Sequence, residues 1–227
     1  MRNAIEIGND FIVTTDNSGG IGEKPGDLVA VPDRVTAYFA ARVALLEQWA
    51  GHAEPVTILI HNFSGNASWE KYVAGVTDVF HEVGLEVPAI SGSTETNMEL
   101  VQSAMAVTMI GNRQKPPLIE EVAWFTYGTP LVGHEVLERK GEVASLRLLK
   151  DAWASGMIHR LWPIGSSGIL QEVRKMTGEE NAEVETVLEK TKSAGPATVV
   201  LVAIPADKIT EAEAFFGAML NKIEIIN

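Results

Sequence analysis

Oxygen donors, glycines and a lysine concentrate in a few short stretches of this sequence, and such groups bind anions and hard cations. In TTDNSGGIGEKPGD (Thr14 to Asp27) the carboxylate of Asp16 follows a β-branched run. Ser18, Gly19, Gly20 and Gly22 then let backbone N–H groups approach a ligand, and Lys24 adds a positive charge. That set could bind a phosphate with its metal, or it could form an exposed turn, where Asn, Ser and Gly are common for conformational reasons. It matches neither G-x-x-x-x-G-K-[ST] nor G-x-G-x-x-G. A second stretch, Ser91-Gly92-Ser93-Thr94-Glu95-Thr96-Asn97, packs hydroxyls, a carboxylate and a carboxamide together, suiting magnesium–phosphate or substrate binding, or equally a polar connection. His61 and Asn62 end an apolar run beside Ser64, where a substrate could be touched. Glu47 sits among Val43, Leu45, Leu46 and Trp49, a setting costly for a carboxylate unless it is paired, bound to metal, or turned to water beside Gln48. Gly165-Ser166-Ser167-Gly168 opens a helical pattern and reads as an N-cap or an anion site.

Other chemistries are closed off. With no cysteine there is no disulfide, thiolate nucleophile or iron–sulfur ligand, so a metal here is a hard cation on oxygens, magnesium first, or a histidine site. The five histidines, at 52, 61, 81, 134 and 159, show no H-x-x-x-H or H-E-x-x-H spacing, which argues against zinc. Thirty acidic against 18 basic side chains leave a net charge of −12, opposing attraction to nucleic acid or anionic membrane. No apolar run approaches the roughly 18 residues of a membrane span, and MRNAIEIGND lacks the pattern of a secretory signal, so the expected location is the cytoplasm.

The elements that must position these groups alternate along 227 residues, enough for one large domain or two small ones. Strands are expected at Phe11 to Thr15, Val56 to Phe63, Ser103 to Gly111, Ala123 to Gly128 and Ala197 to Pro205, with a terminal strand in IEIIN. The spacing predicts helices from Asp33 to a stop at Gly51, from Trp69 to a stop at Gly84, over Glu142 to Ala154, from GSSG through Met176, over the charged stretch Glu180 to Ser193, and over Thr210 to Leu220. NRQKPP (Asn112 to Pro117) has the composition of a hinge and places a boundary between residues 1–115 and 116–227, both α/β mixtures.

Taken in order, these pieces resemble the aminoimidazole ribonucleotide synthetase (PurM-like) superfamily, which includes thiamine monophosphate kinase, selenophosphate synthetase and a hydrogenase maturation factor. TTD before a glycine loop is similar to the family's first strand, whose final Asp binds magnesium. ALLEQWAGHAEP is similar to N-L-S-D-I-A-A-M-G-A-x-P, with Glu47 where the metal-binding Asp stands. ISGSTET before AVTMIG is similar to G-G-D-T or G-G-E-T before a "VTxIG" strand, with Glu95 at the acidic position. YGTPLVGHEVL and IHRLWPIGSSGIL resemble the opening of the second domain and its "IHAxxDISDGL" element, with Ser167 in place of the "SDG" Asp.

The resemblance implies an α/β (α+β) fold: an N-terminal mixed-sheet domain supplying strands to a β-barrel shared by a homodimer, and a trimmed C-terminal α/β domain. It implies ATP and Mg²⁺ in a cleft, with Asp16, Glu47 and Glu95 converging on metal. Gly19, Gly20 and Gly22 would admit phosphate, Lys24 would offset its charge, and His61 with Asn62 would meet the acceptor, a nucleoside or vitamin precursor. The expected activity is a small-molecule kinase. The "YGxPLVGxEVL" element resembles α-ribazole kinases of cobalamin lower-ligand salvage. The alternatives are an ATP-dependent ligase of the same superfamily, a thiamine-monophosphate-kinase-like enzyme, or a catalytically inactive nucleotide-binding scaffold dimer.

Overall fold

The computed structural model describes residues 3–8, 10–115 and 121–226, so Pro116 and Pro117 of the expected hinge lie outside the described residues. The chain divides into two compact units, residues 3–114 and 115–226.

In the first unit the strands are β1 (Ile5–Ile7), β2 (Phe11–Gly19), the two-residue β3 (Ile21–Gly22) and β4 (Val29–Ala30), β5 (Ala53–Asn62), β6 (Ala89–Thr94) and β7 (Ala104–Arg113). The helices are α1 (Asp33–Ala50) and α2 (Asn66–Val83). Both stop at the expected glycines, Gly51 and Gly84. The main sheet runs β1-β2-β7-β5-β6, antiparallel throughout except for β5 with β6. A parallel pair requires a crossover, and α2 supplies it.

Side-chain alternation assigns the two faces. Ile12, Ile58, Ile60, Met105, Val107 and Met109 are at most 2% exposed and form the core beneath α1 and α2. The opposite face carries Val13, Thr15, Leu59, His61, Thr108 and Ile110, less deeply buried, with Ile5, Ile7 and Phe11 exposed at one margin. Within one chain the sheet is open, with β1 and β6 as its edges.

The second unit contains β8 (Val122–Gly128), α3 (Glu135–Glu138), α4 (Leu146–Ala154), β9 (Arg160–Pro163), α5 (Gly168–Thr177), β10 (Glu183–Glu185), β11 (Val199–Pro205), α6 (Ile209–Phe216), β12 (Leu220–Lys222) and β13 (Glu224–Ile226). Its four-stranded antiparallel sheet, β12-β8-β11-β9, is centred on β11, every residue of which is buried. No helix among the described residues is long and apolar enough to cross a membrane.

Three local expectations are corrected. The first strand extends past Thr15 to Gly19, because Asp16 through Gly19 stay in register with Val107 through Ala104. The helix expected from Glu142 starts at Leu146, where the Ser145 hydroxyl caps the Leu148 amide. The stretch from Glu180 to Ser193 is not a helix. Ala182 and Val184 point inward while Glu183 and Glu185 point out, and β10 pairs with β13. Val184 joins the core with Trp162, Val173 and Ile223, so a two-residue period overrides the helical propensity of a glutamate-rich segment.

Candidate active site

Sheet register brings the separated polar stretches to one end of the first sheet. Gly19 at the end of β2 pairs with Ala104 at the start of β7; Asn62 at the end of β5 pairs with Met105 on one side and with Thr94, the end of β6, on the other. Ser18 to Lys24, His61 and Asn62, and Gly92 to Asn97 therefore share an end of the sheet, though roughly 30 to 40 residues separate successive stretches.

The glycine-rich segment is a strap clamped on the connection before β7. Gly20 N donates to Ser103 O (2.8 Å), Gly26 N to Val101 O (3.2 Å), Gln102 Nε2 to Gly26 O (2.7 Å) and Lys24 Nζ to Leu100 O (2.6 Å). Asp27 accepts from Lys24 N (2.8 Å) and from both the amide and the hydroxyl of Ser103 (2.7 Å each). Burial acts to raise the Asp27 carboxyl, but the hydrogen bonds from Ser103 and Lys24 outweigh it and leave the group below the usual carboxylate range. Gly22 is required sterically, since a Cβ there would lie 2.4 Å from Ser103 Oγ and 2.8 Å from Asp33 Oδ1. Glu23 and Asp33 exchange amide-to-carboxylate hydrogen bonds, and Lys71 pairs with Glu23. The Lys71 hydrogen bond, then that from the Asp33 amide, holds the Glu23 carboxyl low.

Asn62, expected to face an acceptor, is 1% exposed and bonded internally. Its Nδ2 donates to Gly65 O (2.9 Å) and Thr94 Oγ1 (3.2 Å), and its Oδ1 accepts from Ser64 N (2.9 Å). Alternation sends His61 to the opposite face, where Nε2 lies 3.3 Å from Thr108 Oγ1. Glu95 Oε1 accepts from Asn97 N (2.6 Å) and Met98 N (3.1 Å), and these amides lower its carboxyl from the ordinary value.

The two remaining expected metal ligands lie on the helix side of the sheet, Asp16 in the row of Val107, Ile60 and Gly92 and Glu47 on α1. Asp16 is inside β2, opposite Val107, on the helix side of the sheet with Ile12 and Thr14. Glu47 and its neighbour Gln48 are both 0% exposed, which overturns the alternative that they face water. Asn3 N approaches Glu47 Oε2 at 3.4 Å, while Gln48 Nε2 donates to Ile12 O (3.0 Å), Thr14 Oγ1 (3.1 Å) and Met109 O (2.9 Å). Among the described residues no three His, Asp or Glu side chains gather to hold a metal ion. Among the described residues Asp16, Glu47 and Glu95 are therefore not gathered as one such group.

No family model and no curated protein sequence matches the chain. Solved structures do. Hydrogenase maturation protein HypE superposes with a TM-score of 0.66 at 14% identity, covering 98% of this chain and 82% of that one. HypE in complex with ATP gives 0.63 at 14% identity, with 96% and 78% covered. Thiamine-monophosphate kinase from Stenotrophomonas maltophilia K279a gives 0.61 at 13% identity, with 96% and 83% covered. The fold is PurM-like.

In the second unit of this PurM-like chain, Ser167 precedes α5 and receives Lys175 Nζ at 3.3 Å. Lys175 also reaches Glu172 Oε1 (3.0 Å), and the Trp162 indole donates to Glu172 Oε2 (3.0 Å). Glu172 is 1% exposed; Lys175 supplies a counter-charge and the Trp162 indole a neutral hydrogen bond. Sequence reading missed this pairing, as it missed the Asp27–Ser103 clamp. The signal for both was present only as isolated polar residues, since their partners lie on other elements.

Proposed function

We propose that the protein is an ATP- and magnesium-dependent small-molecule kinase acting as a homodimer, and that its acceptor is α-ribazole, as in cobalamin lower-ligand salvage. The observation that carries this reading is the PurM-like fold shared over nearly the whole chain with an ATP-bound HypE structure and with a thiamine-monophosphate kinase. In this reading residues 1–115 take the ATP and magnesium role. Supporting it locally, the strap carrying Gly19, Gly20, Gly22 and Lys24 shares one end of the sheet with Ser93, Thr94, Glu95, Thr96 and Asn97. Lys24, bonded here to Leu100 O, would offset the phosphate charge, and Glu95 would hold the magnesium of MgATP. In the transfer the acceptor hydroxyl oxygen bonds to the γ-phosphorus, the bond from that phosphorus to the departing ADP oxygen breaks, and the hydroxyl proton passes to solvent or a base.

Dimerisation through the open face of the first sheet belongs to this reading. That face carries no Asp, Lys or Arg in its central rows among the described residues, so two copies of a chain with a net charge of −12 meet there without like-charge contact.

A catalytically inactive nucleotide-binding dimer is the second reading, favoured by Ser167, which stands where the resemblance expects an Asp. Thermal unfolding with ATP, with and without magnesium, followed by transfer of radiolabelled phosphate to α-ribazole or thiamine monophosphate, separates the two. Magnesium-dependent stabilisation with label transfer supports the kinase; stabilisation without transfer supports the inactive dimer; no shift at millimolar ATP removes both. Asp16→Asn is expected to weaken MgATP binding at least tenfold with the fold retained, and unchanged affinity removes Asp16 from the metal role.

A further inference from the structure

Among the described residues of the sheet face turned away from α1 and α2, His61 is a titratable side chain one residue from the end of β5. Its row across the sheet is Asn17 on β2, Ala106 on β7, His61 on β5 and Ser93 on β6. Its Nε2 lies 3.3 Å from Thr108 Oγ1, and that hydroxyl donates to Thr15 Oγ1 at 3.3 Å, a polar seam among Val13, Leu59 and Ile110. None of the groups facing His61 from β2, β6 or β7 can titrate. The carboxylate nearest in register is Glu95, just beyond β6, whose Oε1 is already engaged by the Asn97 and Met98 amides. Glu54 and Asp10 stand at the far end of the sheet, roughly 20 Å away along β5.

We propose that His61 makes pairing of this face with a second copy of the chain pH-sensitive: the dimer is tight above neutrality and loosens as the imidazole takes up a proton. The proposal rests on the dimer reading above and deepens it.

The physical reason is compensation. A neutral imidazole satisfies Thr108 and tolerates cover by apolar neighbours. A second copy brings a second imidazole and no carboxylate into these rows, so a protonated ring there is confined without a counter-charge, whereas in the monomer water solvates it. Imidazole is the side chain whose charge ordinarily changes between pH 5 and 8. The rest of the molecule pulls the other way. Acidification reduces the net charge of −12 and weakens repulsion between copies, so bulk electrostatics alone tighten the dimer. A dimer that weakens in acid therefore reports the seam rather than the net charge.

Sedimentation velocity of the full chain at pH 7.5 and 5.5, at constant ionic strength, tests this with wild type and His61→Gln, which retains a hydrogen-bonding partner for Thr108. The expected result is a dimer at pH 7.5 for both, with Kd rising about tenfold or more at pH 5.5 in wild type and staying level or falling in His61→Gln. A wild-type Kd that does not rise, or the same acid weakening in His61→Gln, overturns the switch and leaves the dimer standing. A monomer at pH 7.5 overturns the dimer reading and the switch with it.

Discussion

Gln48 shows how one buried polar side chain ties helix to sheet. It donates to β2 and β7 at once while Thr14 Oγ1 donates to Ala44 O at 2.9 Å, so α1 is bonded as well as packed against the strands it covers. Gln48→Leu is expected to cost about 2–3 kcal/mol, because it removes all these donors from a fully buried site, and Thr14→Val about 1 kcal/mol. Both are read from the urea midpoint at unchanged m. Asp27 gives a pH signature. Its carboxyl is depressed in the folded state, so its contribution is present above the ordinary Asp value of about 3.9 and is lost as pH falls through the folded value. Wild type should then lose more stability between pH 7 and pH 3 than Asp27→Asn, which lacks the titrating group and is weaker at pH 7. Equal losses in the two would show that the Ser103 clamp does not report on folding.

At the scale of elements, the contact between α1 and α2 decides how tightly the helical layer closes over the sheet. A Cβ on Gly75 of α2 would lie 2.1 Å from Arg34 O and 2.9 Å from Tyr38 N on α1, so the helices approach there by backbone contact. Arg34 forms a two-pronged pair with Asp78 (2.6 and 2.7 Å) and Tyr38 donates to Glu82 beside it. Burial first, with Glu82 alongside, pushes the Tyr38 hydroxyl up to about 12. Gly75→Ala is expected to force the helices apart and destabilise by about 1–3 kcal/mol despite the better helix propensity of alanine, as measured by denaturant titration. The helix limits here were legible because Gly51 and Gly84 end apolar-periodic runs. The strand limit at Asp16 was not legible, because the residues after it are turn formers by type and become strand only through pairing with Ala104 to Val107.

For the whole molecule, the open sheet face and the acidic surface act in opposite directions on self-association. Ile5, Ile7 and Phe11 are 65%, 55% and 42% exposed at the margin of that face. On the proposed dimerisation, Ile7→Glu is expected to leave the chain monomeric in light scattering after size exclusion, and raising salt to strengthen wild-type self-association by screening its net charge. Retention of the dimer in Ile7→Glu would move the contact away from the β1 margin.

By itself the sequence determined the alternation of helices and strands, the absence of thiol chemistry, and the acidic surface, because periodicity, composition and glycine stops are local or additive properties. It also carried the PurM-like likeness, since those motifs are ordered along the chain. Tertiary structure alone decided which face each side chain occupies. Asn62 and His61 are adjacent in sequence yet lie on opposite sides of a sheet, Glu47 and Gln48 are buried together rather than at the surface, and the glycine loop is a strap locked by Asp27 and Ser103. Each of those outcomes depends on a partner tens of residues away, and register between strands, not residue type, determines which partner arrives.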